Sequence, residues 1–82
     1  MFAGVINMDY KHLDNYVKLG LNIAYYRGLK NKTQQEIAEA IGVDVTHISR
    51  VERGNVGVSL DKLFDIANFL EVKSYKFLQF RD

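Results

Sequence analysis

The chain has 82 residues, 48% of them hydrophobic and 26% charged, which suffices for one compact domain and argues against disorder. It contains no cysteine, which excludes disulfide bonds and thiolate metal sites and fits an intracellular, cytoplasmic location. The formal net charge of +1 neither indicates nor excludes nucleic acid, so any case for DNA binding depends on the local arrangement of residues.

Residues 1–8 are predicted to form an apolar N-terminal arm in front of one domain at residues 9–82. The arm is too short for the apolar region of a signal peptide. No stretch of the chain approaches the roughly 18 apolar residues of a membrane span, so we expect a soluble protein without membrane contact. The absence of proline and the small number of glycines favour an all-α fold over a sandwich or barrel.

The first predicted helix covers about residues 9–28, with Asp9 as its N-cap. Residues recur along it at spacings of three and four, which is typical of one helix face. That face comprises Leu13, Tyr16, Val17, Gly20, Ile23, Ala24 and Arg27. Gly28 and Asn31 indicate the loop that follows.

The second predicted helix begins at Thr33, and Glu36 three residues later completes a capping box. Its buried stripe consists of Ile37, Ala38 and Ile41. Gly42 ends the helix in the left-handed conformation, which strains a residue that has a Cβ. Ala38 lies where this helix meets the next, and its small side chain permits close approach.

The third predicted helix follows Asp44, another N-cap, and Gly54 ends it. Ile48 and Val51 face inward, and Val45 lies on the first turn. Because only Val43 and Asp44 separate Gly42 from this helix, the two helices must cross at a steep angle. Residues 33–54 therefore have the physical features of a helix-turn-helix.

A fourth helix is predicted after Ser59, its N-cap, with Asp61 in the first turn to suit the helix dipole. Its apolar face consists of Leu60, Leu63, Ile66, Ala67 and Leu70. A short fifth helix is predicted at about residues 74–80.

The segment 33–54 resembles the Cro/C1-type (XRE-like) helix-turn-helix family, which includes phage repressors and restriction–modification controller proteins. The resemblance covers about residues 19–78, through Leu19, Gly20, Ile23 and Arg27 upstream and Ser59, Leu63, Ile66, Ala67 and Leu70 downstream. It implies a compact five-helix lambda-repressor-like domain. The function it implies is a sequence-specific transcriptional regulator of double-stranded DNA, a repressor or controller that acts by occupying its operator.

The resemblance places the third helix in the major groove of DNA. The residues it assigns to base reading are Val45, Thr46, His47, Ser49 and Arg50. Arg50 is the strongest choice, because a guanidinium can bond O6 and N7 of guanine together. The methyl groups of Val45 and Thr46 suit thymine. For His47, contact with a base or phosphate and an ordinary surface role both stay open.

Phosphate contact is assigned to Gln34, Lys32, Arg53 and Asn55. In the family, the glutamine at Gln34 contacts phosphate and braces the reading helix, and unpaired amides at a helix N-terminus favour an anion. Arg53 fits a cap or surface role equally well. Residues 55–58 carry no charge where the family often has a basic residue, and Lys32 replaces a residue that is usually apolar. We therefore expect modest non-specific affinity and a shallow salt dependence.

The resemblance also implies that Arg27 and Glu52 form a largely buried ion pair with a structural role. We expect no enzyme, because the chain has no cysteine nucleophile, no glycine-rich phosphate loop and no cluster of histidines and carboxylates. Neither His12 nor His47 has neighbours suited to a metal. No metal, cofactor or small-molecule ligand is expected.

A homodimer on a near-palindromic operator is expected, because one reading helix covers few base pairs and family members commonly dimerise. The resemblance places Phe77 in the core. Phe69, Tyr75, Leu78 and Phe80 are then left as a partner surface, unless residues 1–8 fold over them.

Two further functions stay open. The uncharged loop and the low net charge fit a protein-interaction module that kept the fold and lost DNA binding. An antitoxin would keep DNA binding and use the aromatic surface for a small toxin.

Overall fold

The computed structural model describes residues 10–80, and every regular element in this range is helical. The four α-helices of this range are α1 (Leu13–Leu29), α2 (Gln34–Ile41), α3 (Val45–Glu52) and α4 (Leu60–Leu70). A 3-10 turn (Tyr10–His12) precedes α1, and a 3-10 helix (Ser74–Leu78) follows α4. None of these helices is long and apolar enough to cross a membrane. The predicted all-α fold is confirmed.

The predicted fifth helix is wrong in type, because residues 74–78 form a 3-10 helix and Gln79 is already extended. The side chain of Asn22 on α1 donates to the carbonyls of Phe77 (2.8 Å) and Gln79 (3.3 Å). These two bonds anchor the C-terminal end of the 3-10 helix to α1.

α1 begins later than predicted, at Leu13. His12 occupies its N-cap position without a side-chain capping bond, and residues 10–12 form the 3-10 turn. The predicted N-cap, Asp9, lies outside the described residues. The other end follows the prediction, since α1 ends at Leu29 and Asn31 has a positive φ of 59°.

The ends of α2 follow from its sequence, and both predicted signals are confirmed. The Thr33 hydroxyl accepts from the Glu36 amide (3.0 Å), and the Glu36 carboxylate accepts from the Thr33 amide (2.8 Å). Gly42 has a φ of 77°, and its amide donates to the Ala38 carbonyl (2.9 Å). These bonds fix where α2 starts and where the chain turns toward α3.

The caps of α3 and α4 agree with the prediction in position but not in every contact. Ser59 accepts a hydrogen bond from the Lys62 amide, whereas Asp44 makes no side-chain bond at the start of α3. Leu60, predicted on the apolar face of α4, is 62% exposed. It occupies the first position of the helix, where it lies at the edge of the packed surface.

The core draws on all four α-helices and on the 3-10 helix. Its buried apolar residues are Leu19, Ile23, Ile37, Ala38, Ile41, Ile48, Val51, Leu63, Ile66, Ala67, Leu70 and Phe77. Phe77 is fully buried, as predicted, and its ring meets that of Tyr26 edge-on at 5.8 Å. α2 packs against α3 and α4, while α1 packs against α3 and the 3-10 helix.

Candidate nucleic-acid interface

α3 buries one face and directs the other to solvent. Ile48, Val51 and Glu52 are buried. The predicted base-reading residues occupy the other positions: Val45, Thr46 and Arg50 are exposed, and His47 and Ser49 are half-buried. At roughly 100° per residue, Thr46 and Arg50 lie opposite the buried face, and the remaining three flank them. The structure thus brings all five side chains together on one short helix.

The backbone of α1 approaches α3 so closely that only glycine fits at position 20. A Cβ on Gly20 would lie 2.3 Å from the carbonyl oxygen of Val51 and 2.6 Å from that of Glu52. This contact fixes the C-terminal end of α3 against α1. The sequence pattern placed Gly20 on the correct face without indicating how close the approach is.

The predicted ion pair between Arg27 and Glu52 is present at the same end of α3. The Nε of Arg27 donates to Glu52 Oε2 at 2.7 Å, and Nη2 donates to Oε1 at 3.1 Å, so that two parallel bonds form. Glu52 is only 8% exposed. The third nitrogen of Arg27 donates to the backbone carbonyl of Lys32 (2.9 Å), which also ties down the loop before α2.

Gln34, a predicted phosphate-binding residue, is joined to the same carboxylate. It is the first residue of α2 and is half-buried, and its Nε2 donates to Glu52 Oε1 at 2.8 Å. Glu52 therefore accepts from α1 and from α2. The family resemblance implied that Gln34 braces the reading helix, but it did not identify Glu52 as the partner, because no local signal relates residues 18 positions apart.

The other predicted phosphate-binding residues lie in different surroundings. Arg53 and Asn55 are exposed just beyond the end of α3. Lys32 is half-buried, and its ammonium nitrogen lies 5.4 Å from the centre of the Phe69 ring, within cation–π range. The ammonium group of Lys32 would therefore either leave the Phe69 ring to contact a phosphate or contact both at once.

Glu36 adds a negative charge near the start of α2. The hydrogen bond from the Thr33 backbone amide, helped by the Thr33 hydroxyl and by the charge of Lys32, lowers its pKa below the ordinary value of 4.5. Glu36 is therefore ionised at neutral pH. Its charge opposes a phosphate at this helix end, so that the donors of Gln34 and Arg53 matter more.

Lys62 supports the turn between α2 and α3 from α4. Its ammonium donates to the backbone carbonyl of Ile41 at 2.7 Å, at the C-terminal end of α2, where the helix dipole favours a cation. Sequence analysis missed Lys62, because its position on α4 looks like that of any surface lysine.

The uncharged loop after α3 has a packing role. Val56 and Val58 pack against the core. Gly57 faces the Tyr16 ring, and a Cβ there would lie 3.0 Å from a ring carbon. The loop that lacks a basic residue thus contributes apolar side chains to the packing of the fold.

The predicted partner surface is only partly exposed. Tyr75 and Leu78 are 58% and 52% exposed, whereas Phe69 and Phe80 are half-buried and pack against the core. Phe80 is held there because Asn22 anchors the chain just before it. The prediction that all four side chains are spare is therefore corrected for Phe69 and Phe80. Residues 1–8, the predicted alternative cover, lie outside the described residues.

α1 also carries an apolar stripe that sequence analysis did not identify. Leu21 and Leu29 are each 60% exposed and Tyr25 is 49% exposed, on the outward side of the helix. These residues recur at a spacing of four, which does not by itself distinguish an exposed helix face from a buried one. Among residues 10–80 no cluster of three or more histidines or carboxylates is suited to a metal ion.

The helix-turn-helix family model matches residues 23–77. An uncharacterized HTH-type transcriptional regulator of Methanocaldococcus jannaschii is 41% identical over 51 residues, which cover 62% of this chain and 77% of that protein. Control protein C.SmaI of Serratia marcescens is 33% identical over 76 residues, 93% of this chain and 84% of that protein. The crystal structure of the restriction-modification controller protein C.AhdI from Aeromonas hydrophila matches with a TM-score of 0.74 at 28% identity, over 78% of this chain and 97% of that one. The chain therefore belongs to the helix-turn-helix (XRE-like) family of DNA-binding transcription regulators.

Proposed function

We propose that this regulator recognises a specific operator in double-stranded DNA by placing α3 in the major groove. The observation that carries the proposal is the outward face of α3, where Thr46 and Arg50 are exposed. The opposite face is fixed by the core, by Gly20 and by the Arg27–Glu52 pair. A rigidly held helix with a polar outer face satisfies the geometric requirement for reading base edges.

Arg50 is the proposed principal base-reading residue. Its guanidinium can donate two hydrogen bonds to one guanine, a contact worth about 1–3 kcal/mol of discrimination. Val45 and Thr46 add methyl contacts to thymine, and His47 and Ser49 contribute from the flanks. Gln34, Arg53, Asn55 and Lys32 would hold phosphates and so set the position of α3 on the duplex.

Dimerisation completes the proposed mechanism. Tyr75 and Leu78 expose apolar area on the 3-10 helix, and a second copy of the chain, related by a two-fold axis, would cover both side chains. Two reading helices would then lie about 34 Å apart on a near-palindromic operator. The regulator would act by occupancy, as a repressor or controller, and its concentration would set the balance of monomer and dimer.

The test is fluorescence anisotropy with a labelled duplex that carries a selected site. Arg50→Ala is expected to weaken binding to this duplex about 10-fold or more, because guanine recognition is lost. On a second duplex, in which that guanine is replaced, the variant and the parent should bind with equal affinity. Lys73→Ala removes the same charge from an exposed position between α4 and the 3-10 helix, outside the helix-turn-helix, and should bind as the parent does.

Two results would contradict the proposal. One is an Arg50→Ala variant that discriminates between the two duplexes as the parent does. The other is the absence of binding at low salt, which would favour a protein-interaction module. The packing role of Val56 and Val58 weakens the case for that alternative, because it accounts for the uncharged loop without a loss of function.

A further inference from the structure

The amide of Gln34 faces a carboxylate that can only accept hydrogen bonds. Its Nε2 donates to Glu52 Oε1 at 2.8 Å. If the amide turned over, the carbonyl oxygen of Gln34 would face an oxygen of Glu52, and two acceptors would be in contact. The amide is therefore held with its nitrogen toward Glu52, and the second N–H of that nitrogen points away from it.

Glu52 is itself held in place. Arg27 donates to both of its oxygens, at 2.7 and 3.1 Å, and also to the carbonyl of Lys32, two residues before Gln34. The carboxylate is buried, at 8% exposure of the residue, so it neither rotates freely nor reaches a ligand outside the domain. Three residues from α1, α2 and α3 thus form one network, in which Glu52 is buried and Arg27 and Gln34 are half-buried.

We propose that Glu52 is a positioning residue for DNA binding, which orients the Gln34 amide so that its free N–H donates to a phosphate. This inference rests on the proposed function, because it assumes that Gln34 contacts the DNA backbone. A phosphate oxygen is an acceptor, so only one orientation of the amide binds it. Glu52 selects that orientation in the free protein, before DNA arrives.

The test is a double-mutant cycle on DNA affinity with Glu52→Gln and Gln34→Ala. The new amide can accept from Arg27 and donate to Gln34, which turns the Gln34 amide over and presents its carbonyl to the phosphate. Glu52→Gln is expected to weaken binding about tenfold, as far as Gln34→Ala does, although it raises the net charge by one. The double variant should bind no more weakly than either single variant.

Gln35→Ala is the matched control. Gln35 is the next residue, is exposed, and donates to Glu39 within α2 (2.9 Å), so its loss should leave DNA affinity unchanged. Additive losses in the cycle, or parent-like affinity of Glu52→Gln, would overturn the proposal. If Glu52 had a purely structural role, the losses of binding free energy in the two single variants would add. A general distortion of α3 would then weaken binding independently of the loss of the Gln34 side chain.

A measurement on the parent protein covers the case in which Glu52→Gln does not fold. The Gln34 side-chain proton that bonds Glu52 should exchange with solvent more slowly than the other proton of the same nitrogen in the free protein, and that other proton should shift strongly in NMR spectra when DNA binds. Equal exchange of the two protons with solvent would contradict the inference. If the parent bound no DNA, the proposed function would fail, while the slower exchange of one proton would still be observed. Binding by the parent together with an additive cycle would overturn the inference alone.

Discussion

Two glycines on α1 should respond to the same substitution in opposite ways. A Cβ at Gly20 would lie 2.3 Å from the Val51 carbonyl oxygen and 2.6 Å from that of Glu52, both of them backbone atoms of α3. A Cβ at Gly28 would meet nothing within 4 Å. Both positions lie within α1, so the substitution by alanine isolates the helix contact.

The magnitudes follow from these distances. At Gly20 the two backbones must separate by about 1 Å to reach an ordinary contact, and overpacking of this kind costs about 1–3 kcal/mol. Alanine recovers up to about 1 kcal/mol through its helix propensity, so Gly20→Ala should lower the free energy of unfolding by about 1–2 kcal/mol. Gly28→Ala has only the propensity gain and should raise that free energy by about 0.5–1 kcal/mol.

Urea unfolding of the two variants and the parent measures both effects. We expect the two variants to differ by about 2 kcal/mol, or roughly 8–16 °C in Tm for a domain of this size. Gly20→Ala should also bind DNA less tightly, because it moves the end of α3, whereas Gly28→Ala should bind as the parent does. Equal stability of the two variants would refute the close approach of α1 to α3.

Three further predictions concern the helix ends. Thr33→Ala should lower the free energy of unfolding by about 1 kcal/mol in urea titrations, since it removes half of the capping box. Because the pKa of Glu36 lies below 4.5 in the folded protein, its contribution to stability is present above that pH and is lost as the pH falls through the folded pKa. Glu36→Gln should therefore flatten the acid limb of the stability profile, and an unchanged limb would contradict this. Asn22→Ala should cost about 1–2 kcal/mol and expose the 3-10 helix to hydrogen exchange, whereas the exposed Asn68→Ala should do neither.

The helix-turn-helix was predictable because its signals are local. Thr33 and Glu36 fix the start of α2 through bonds that span three residues, and Gly42 and Gly54 fix the turns through their own positive φ angles. Each of these signals acts within one helical turn. A pattern of residues therefore contains all the information that these elements need.

The contacts that orient the candidate interface could not be predicted in the same way. The bond between Gln34 and Glu52 spans 18 positions, that between Lys62 and Ile41 spans 21, and the bond that anchors the 3-10 helix spans 55. These bonds depend on how the helices cross, which spacing along the chain does not determine. The Arg27–Glu52 pair, and the fact that Gln34 braces the reading helix, were anticipated only through the family resemblance.

The exposed apolar surface was the least predictable feature. Composition indicates how many apolar residues follow the motif, but the burial of Phe69 and Phe80 depends on the path of the chain after α4. The outward stripe of Leu21, Tyr25 and Leu29 has the same spacing as a buried face. Periodicity alone does not state which side of a helix the core occupies when both sides carry apolar residues.

Selection of bound sites from a random pool of double-stranded DNA tests the central claim most directly. The parent should enrich near-palindromic sites with half-sites about 10 base pairs apart, centre to centre. Arg50→Ala should lose the preference at one guanine in each half-site and keep the preference elsewhere. The account would be contradicted if the parent enriched no sequence, or if Arg50→Ala enriched the same sites as the parent.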